Sequence, residues 1–131
     1  MIERKWLQST KLINWATSAT SSNPYPIEDY ANMMLTIVGS DTASATIKVV
    51  GSFQLEAPDF SQSADADNQW SYISVRDLED GTNIDGTTGV SISTDGVNSY
   101  LVNTPWLRWI WVVITTYTTG TIDVSLNGFS S

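Results

Sequence analysis
The chain has 131 residues, 41% of them hydrophobic and only 15% charged, with 14 acidic side chains against 6 basic ones and a net charge of −8. That length suits one domain with a real core, and the charge argues against nucleic acid and anionic membranes, both of which are held through Lys and Arg. The chain has no Cys and no His, which removes disulfides, thiol chemistry, imidazole bases and the commonest metal ligand.

Residues 1–27 read as an N-terminal arm and linker. Met1 to Trp15 scatters Trp6, Leu7, Leu12, Ile13 and Trp15 among polar residues without a steady period. Three of the six basic residues, Arg4, Lys5 and Lys11, lie here. No apolar run follows Arg4 and Lys5, so no signal peptide is expected. No stretch reaches the roughly 18 apolar residues of a membrane helix. Thr17 to Pro26 is a linker by composition. The arm has two readings: a first strand lying along the domain, or a segment that docks on a neighbouring subunit through Trp6 and Trp15.

Residues 28–131 read as strands. Asp29 to Gly39 is the first, and Ser44 to Phe53 is the second, with Ile47, Val49 and Phe53 on one face. Ser40 to Ala43 between them reads as a hairpin loop. Gln54 to Asn68 is a long acidic loop with Glu56, Asp59, Asp65 and Asp67, and loops of that length are usually functional or mobile. Gln69 to Leu78 is the third strand, and its apolar phase changes between Tyr72 and Ile73, the mark of a bulge or a sheet crossing. Asp80-Gly81, Asp85-Gly86 and Asp95-Gly96 are turn signals around two short strands, Val90 to Thr94 and Ser99 to Asn103.

The last segment organises the rest. Trp106 to Tyr117 is aromatic and β-branched, suited to a pleated surface. Thr121 to Leu126 alternates cleanly, and Gly120 between them reads as a hairpin turn. Ile110, Val112, Ile114, Ile122, Val124 and Leu126 are expected in one core. The other face of the long strand carries Trp109, Trp111, Val113 and Tyr117, and so needs a second dry environment. A second sheet, the arm or another subunit would supply it. The expected architecture is all-β: an antiparallel two-sheet β-sandwich, jelly-roll-like, with an extended N-terminal arm.

Little here carries chemistry. The acids sit mostly in Asp-Gly turns and polar loops, where they cap and solvate rather than pair for glycoside hydrolysis. Asp65-Ala-Asp67-Asn68 and Asp77-Leu-Glu79-Asp80 offer oxygen ligands for calcium but lack the fixed spacing of a binding loop. No Gly-rich phosphate loop is present. The six Trp residues suit a core or an interface, and less commonly a sugar platform. No cofactor, metal or catalytic centre is expected.

The order of Ser44-Ala-Thr-Ile-Lys-Val-Val-Gly-Ser-Phe53, a variable loop, Gln69-Trp-Ser-Tyr-Ile73, an Asp-Gly-rich stretch, Tyr100-Leu-Val-Asn103 and Leu107-Arg-Trp-Ile-Trp-Val-Val-Ile-Thr115 resembles the small jelly-roll structural proteins of tailed-bacteriophage virions. The resemblance covers roughly residues 30–128. Members of that group often place charged residues at the outward positions of the long strand, where this chain has Trp111 and Val113. The resemblance implies a virion component that is not an enzyme: a head decoration (cement) protein, a head-fibre base or a tail-tip module. The leading expectation is a capsid decoration (cement) protein bound to the major capsid protein or another virion protein, as a homo-oligomer with a trimer favoured. Its interface residues would be Trp6, Trp15, Trp109, Trp111, Val113 and Tyr117. The alternative is a carbohydrate- or receptor-binding module of a phage tail or fibre.

Overall fold
The computed structural model describes residues 6–130, with side chains from residue 9 onward. Among them are nine strands and no helix: β1 (Trp6–Ala16), β2 (Tyr25–Pro26), β3 (Asn32–Ser52), β4 (Ser71–Ile73), β5 (Val75–Asp77), β6 (Asn83–Ile84), β7 (Val90–Ile92), β8 (Gly96–Val102) and β9 (Trp109–Phe129). All pairings are antiparallel and hydrogen bonding joins the strands into one open sheet, in the order β1-β9-β3-β8-β5-β6. β2 adds to β9, while β4 and β7 add to β3.

The axis of the sheet is the pair β3–β9, which runs from Asn32↔Phe129 to Ser52↔Trp109. The two hairpins expected from the sequence are therefore absent. Ser40 to Ala43 does not reverse the chain, and neither does Thr118 to Gly120. Each is a bend within a 21-residue strand. The bends lie side by side, because Ser40 pairs with Thr121 and Ser44 with Thr119. Asp41 and Thr42 take φ of 59° and 62°, and Gly120 takes φ of 86°. The freed main-chain groups find partners: the Asp95 carboxylate accepts from Thr42 N and Ala43 N at 3.2 and 2.8 Å, and Tyr117 OH donates to Gly120 O at 2.6 Å.

Parity survives both bends. Met33, Leu35, Ile37, Ala43, Ala45, Ile47 and Val49 face inward from β3, all at odd positions. Ile110, Val112, Ile114, Ile122, Val124 and Leu126 face inward from β9, all at even positions, and all six join one buried cluster as expected. Tyr72 and Ile73 both lie within β4, which pairs without a shift along the second half of β3; the change of partner comes after them, at Ser74, since β5 pairs with β8.

Residues 6–16 are not a free arm. They form the edge strand β1 along β9, from Trp6↔Phe129 to Ala16↔Ile122, and Ile13 is buried in the main cluster. The strand's three register shifts explain why no period showed in the sequence. The linker also belongs to the sheet. Ser21 bridges to Val113, Ser22 N donates to Val112 O, and Ile114 N donates to Thr20 O.

Candidate interaction surfaces
The second face of the long strand is covered from within the chain. Trp111 is completely buried and sits beside Val50 on the face opposite the main cluster. Phe60, from the acidic loop, meets the Trp111 ring edge-on at 5.5 Å and Trp70 at 4.7 Å, and Trp70 meets Tyr72 at 5.6 Å. The loop holds this position through Asn68, whose Oδ1 accepts from Asp59 N and whose Nδ2 donates to Asp59 O, both at 2.8 Å. Trp70 Nε1 donates to Gln62 O, and Gln69 N donates to Gln54 Oε1. A loop that reads as acidic and unstructured is thus a lid over the second apolar face. Phe60, Asn68 and Gln54 escaped the sequence reading; the one aromatic in an acidic loop was the signal available.

The six expected interface residues therefore scatter. Trp111 is a core residue, out of reach of another subunit while the loop is in place. Trp109 is half-buried and its Nε1 donates to Gln54 O at 3.0 Å. Val113 is half-buried beside Ser21, and Tyr117 is not on the second face at all: the register shifts beside it turn it toward the main cluster opposite Ala45, with its hydroxyl spent on the bend. Trp6 opens β1, and its side chain lies outside the described set. Trp15 is the one of the six, among those whose side chains are described, that is exposed, at 46%. The local positive charge of the arm is also reduced, because Lys11 is paired; Arg4 and Lys5 lie outside the described residues.

Two surfaces stand out instead. The first is the end of the sheet where β3 stops and β9 begins. Phe53, Leu55 and Trp106 are 57%, 75% and 54% exposed. Residues 52–55 are held against the start of β9 by Arg108 N donating to Ser52 O at 3.0 Å and by the Trp109–Gln54 bond. Trp106 takes φ of 59°, a left-handed conformation unusual for a bulky residue. A salt bridge from Arg108 to Glu28 at 3.1 Å lies at the same end, exposed and of small energetic consequence.

The second surface surrounds Trp15, also left-handed at φ 50°. Strain of this kind costs on the order of 1–3 kcal/mol and persists only where the surroundings enforce it. Here the enforcing group is the buried Asp123 carboxylate, which accepts from Trp15 N at 3.3 Å and from Lys11 Nζ at 2.7 and 2.8 Å. The Lys11 ammonium stands 5.7 Å from the Trp15 ring centroid. The two partners of this ion pair differ in exposure, since the Asp123 side chain is 5% exposed and that of Lys11 is 44% exposed. Lys11→Met strands a buried carboxylate, whereas Asp123→Asn leaves an ammonium that water can solvate. Lys11→Met is therefore expected to cost more, about 1–3 kcal/mol, and Asp123→Asn less. Urea denaturation of both variants checks the order, and the reverse order would remove Asp123 as the fixed point of this corner.

The carboxylates behave as turn caps. Asp59 is held below the usual carboxylate range by hydrogen bonds from the Ser61 hydroxyl and Ser61 N, Asp80 by bonds from Thr82, and Asp85 by bonds from the Thr87 hydroxyl and Thr87 N. Asp65 accepts from Asp67 N and Asn68 N, and Asp77 from Glu79 N. Among the described residues, no three acids converge as a metal site.

The fold itself is shared. SPBc2 prophage-derived protein YomS superposes with a TM-score of 0.73 at 14% identity, over 99% of this chain and 97% of that one. PBSX exported protein XepA superposes with a TM-score of 0.72 at 18% identity, over 99% of this chain but 39% of its own. At these identities the likeness is one of fold. No protein-family model and no curated sequence matches the chain.

Proposed function
We propose that this chain is a structural, non-enzymatic protein of a tailed-phage virion, and that it attaches to the head shell as a decoration (cement) protein. The prophage origin of YomS supports the setting. We also read the paired bends as folding the sheet over one core in the manner of a jelly-roll sandwich, since one buried cluster draws on both halves of β3 and β9. The observation that carries attachment is the exposed trio Phe53, Leu55 and Trp106 at one end of the sheet. Large aromatic and aliphatic side chains held open to water are the usual anchors of an interface. The occupant proposed is the assembled major capsid protein, and preferential binding to the closed lattice stabilises it by mass action. A trimer would multiply a weak single contact by avidity.

The test is occupancy on particles. Trp106→Asp and Leu55→Asp should each lower binding to assembled heads at least about tenfold, with little change in melting temperature because both side chains are open. Wild-type protein that never copurifies with particles in a copy number set by shell symmetry would overturn the reading. A receptor-binding module of a tail or fibre is the second reading. It is favoured by XepA, an exported protein in which this fold accounts for 39% of a longer chain. Cryo-electron microscopy of the particle separates the two by location.

A further inference from the structure
We infer that the corner around Trp15 is a binding site for a neutral sugar ring in an oligosaccharide. The inference goes beyond head attachment and uses a different surface.

Trp15 lines an open concavity of about 410 Å³, together with Leu12, Asn14, Thr17, Ser18, Thr20 and Ser21 among others. That is within the size range of small-ligand clefts, about 300–1,000 Å³. The lining is unusual in kind. Apart from the stem at residues 12, 13 and 16, it consists of hydroxyls and one carboxamide around one large aromatic plate. A partner protein anchored by apolar side chains would meet an apolar wall, as it would at Phe53 and Leu55. A pyranose has the complementary character: an apolar C–H face that packs on an aromatic ring, rimmed by hydroxyls that both donate and accept hydrogen bonds.

Charge narrows the class. Among the described residues the basic side chain at the plate is Lys11, and Asp123 neutralises it at 2.7 Å. The corner thus has no charge to spare, and the chain as a whole carries −8. Acidic saccharides are repelled and neutral hexoses or N-acetylhexosamines are not. The ammonium stands over the indole, 5.7 Å from its centroid, so a sugar ring would stack on the other side of the plate.

The site is preorganised. Asp123 fixes the main chain of Trp15 in its left-handed conformation, and Thr20 and Ser21 are tied to β9 through Ile114 N and the Ser21–Val113 bridge. Little chain has to be ordered when a ligand arrives. An exposed Trp held on a strained main chain by a buried carboxylate serves no packing purpose evident in the fold, whereas it does hold an aromatic plate rigidly in water.

The experiment titrates full-length protein with cellohexaose, maltohexaose and chitohexaose, with polygalacturonate as the acidic control. It is read on the indole N–H resonances of the six tryptophans and by calorimetry. At least one neutral probe should bind, shifting the Trp15 resonance while leaving that of buried Trp111 in place, and polygalacturonate should not. Trp15→Ala should weaken binding at least about tenfold, and Trp106→Ala should leave it unchanged. The wild-type spectrum decides the matter even if Trp15→Ala folds poorly. Absence of any shift at Trp15 with all three neutral probes would overturn the site, as would equal affinity in folded Trp15→Ala. Neither result bears on particle occupancy, which is read on Trp106 and Leu55.

Discussion

Trp111→Ala is expected to destabilise the protein by about 3–5 kcal/mol, the range for truncating a large buried aromatic. In a chain of this size that is a drop of roughly 10–20 °C in melting temperature. The reason lies in what Trp111 holds. Its ring is wholly buried with Phe60 edge-on against it and Val50 as its cross-strand neighbour, and Phe60 in turn packs edge-on against Trp70. Removing the indole leaves a void beneath the acidic loop, and the loop loses its main apolar anchor. Proteolysis within residues 54–68 should therefore accelerate more than proteolysis elsewhere. Trp111→Asp should go further and give insoluble or unfolded protein, because it buries a carboxylate in a site built for an indole. A folded Trp111→Asp protein whose only defect is a smaller oligomer would show that the loop is a loose cover and that a partner subunit supplies the dry environment.

The need for that cover was legible in the sequence, and its source was not. Alternation places Trp109, Trp111 and Val113 opposite Ile110, Val112 and Ile114, so two dry faces are required whatever lies above them. Nothing periodic marks the lid. Phe60 is a lone aromatic in a run of Ser, Asp and Ala, and the loop's order comes from Asn68 and Gln54 reaching main-chain groups up to 15 residues away. Such contacts leave no pattern along the chain. The core was legible for the opposite reason, since β-branched alternation survives any connectivity, and all six expected core positions of β9 are buried together.

Connectivity was the weak point. Asp41-Thr42 and Thr119-Gly120 carry turn chemistry, and a turn between two alternating runs reads as a hairpin. A hairpin and a bend differ in where the chain goes next, which local propensity does not encode. What does encode it is pairing at a distance: the odd positions of β3 stay inward across its bend, whereas β9 slips register on both sides of Tyr117 and returns to even positions only because the two slips cancel. Trp15 was legible as an exposed anchor, but its setting was not, because Asp123 lies 108 residues away.

Gly120→Ala tests the paired bend directly. Gly120 has φ of +86°, where a Cβ is disfavoured, and a Cβ built there would lie 2.5 Å from Ala43 Cα and 2.6 Å from Ser40 O. Both neighbours are main chain, so no side chain can rotate out of the way. They also belong to the other bend, so relief at Gly120 means moving β3 as well. The left-handed conformation costs on the order of 1–2 kcal/mol for a residue with a Cβ, and overpacking against rigid neighbours adds typically 1–3 kcal/mol. A total loss of roughly 2–5 kcal/mol is expected, and Gly120→Val should be worse because its branched side chain adds bulk at the same point. Gly81→Ala is the control. Gly81 has φ of +77° but nothing within 4 Å of a built Cβ, so it isolates the conformational cost at about 1–2 kcal/mol. Denaturant melts of the two variants side by side give the difference, which is the steric part alone. If Gly120→Ala melts where Gly81→Ala melts, the two long strands do not press together at the bend. The continuous pairing of β3 with β9 would then have to yield to the two separate hairpins that the turn residues suggest.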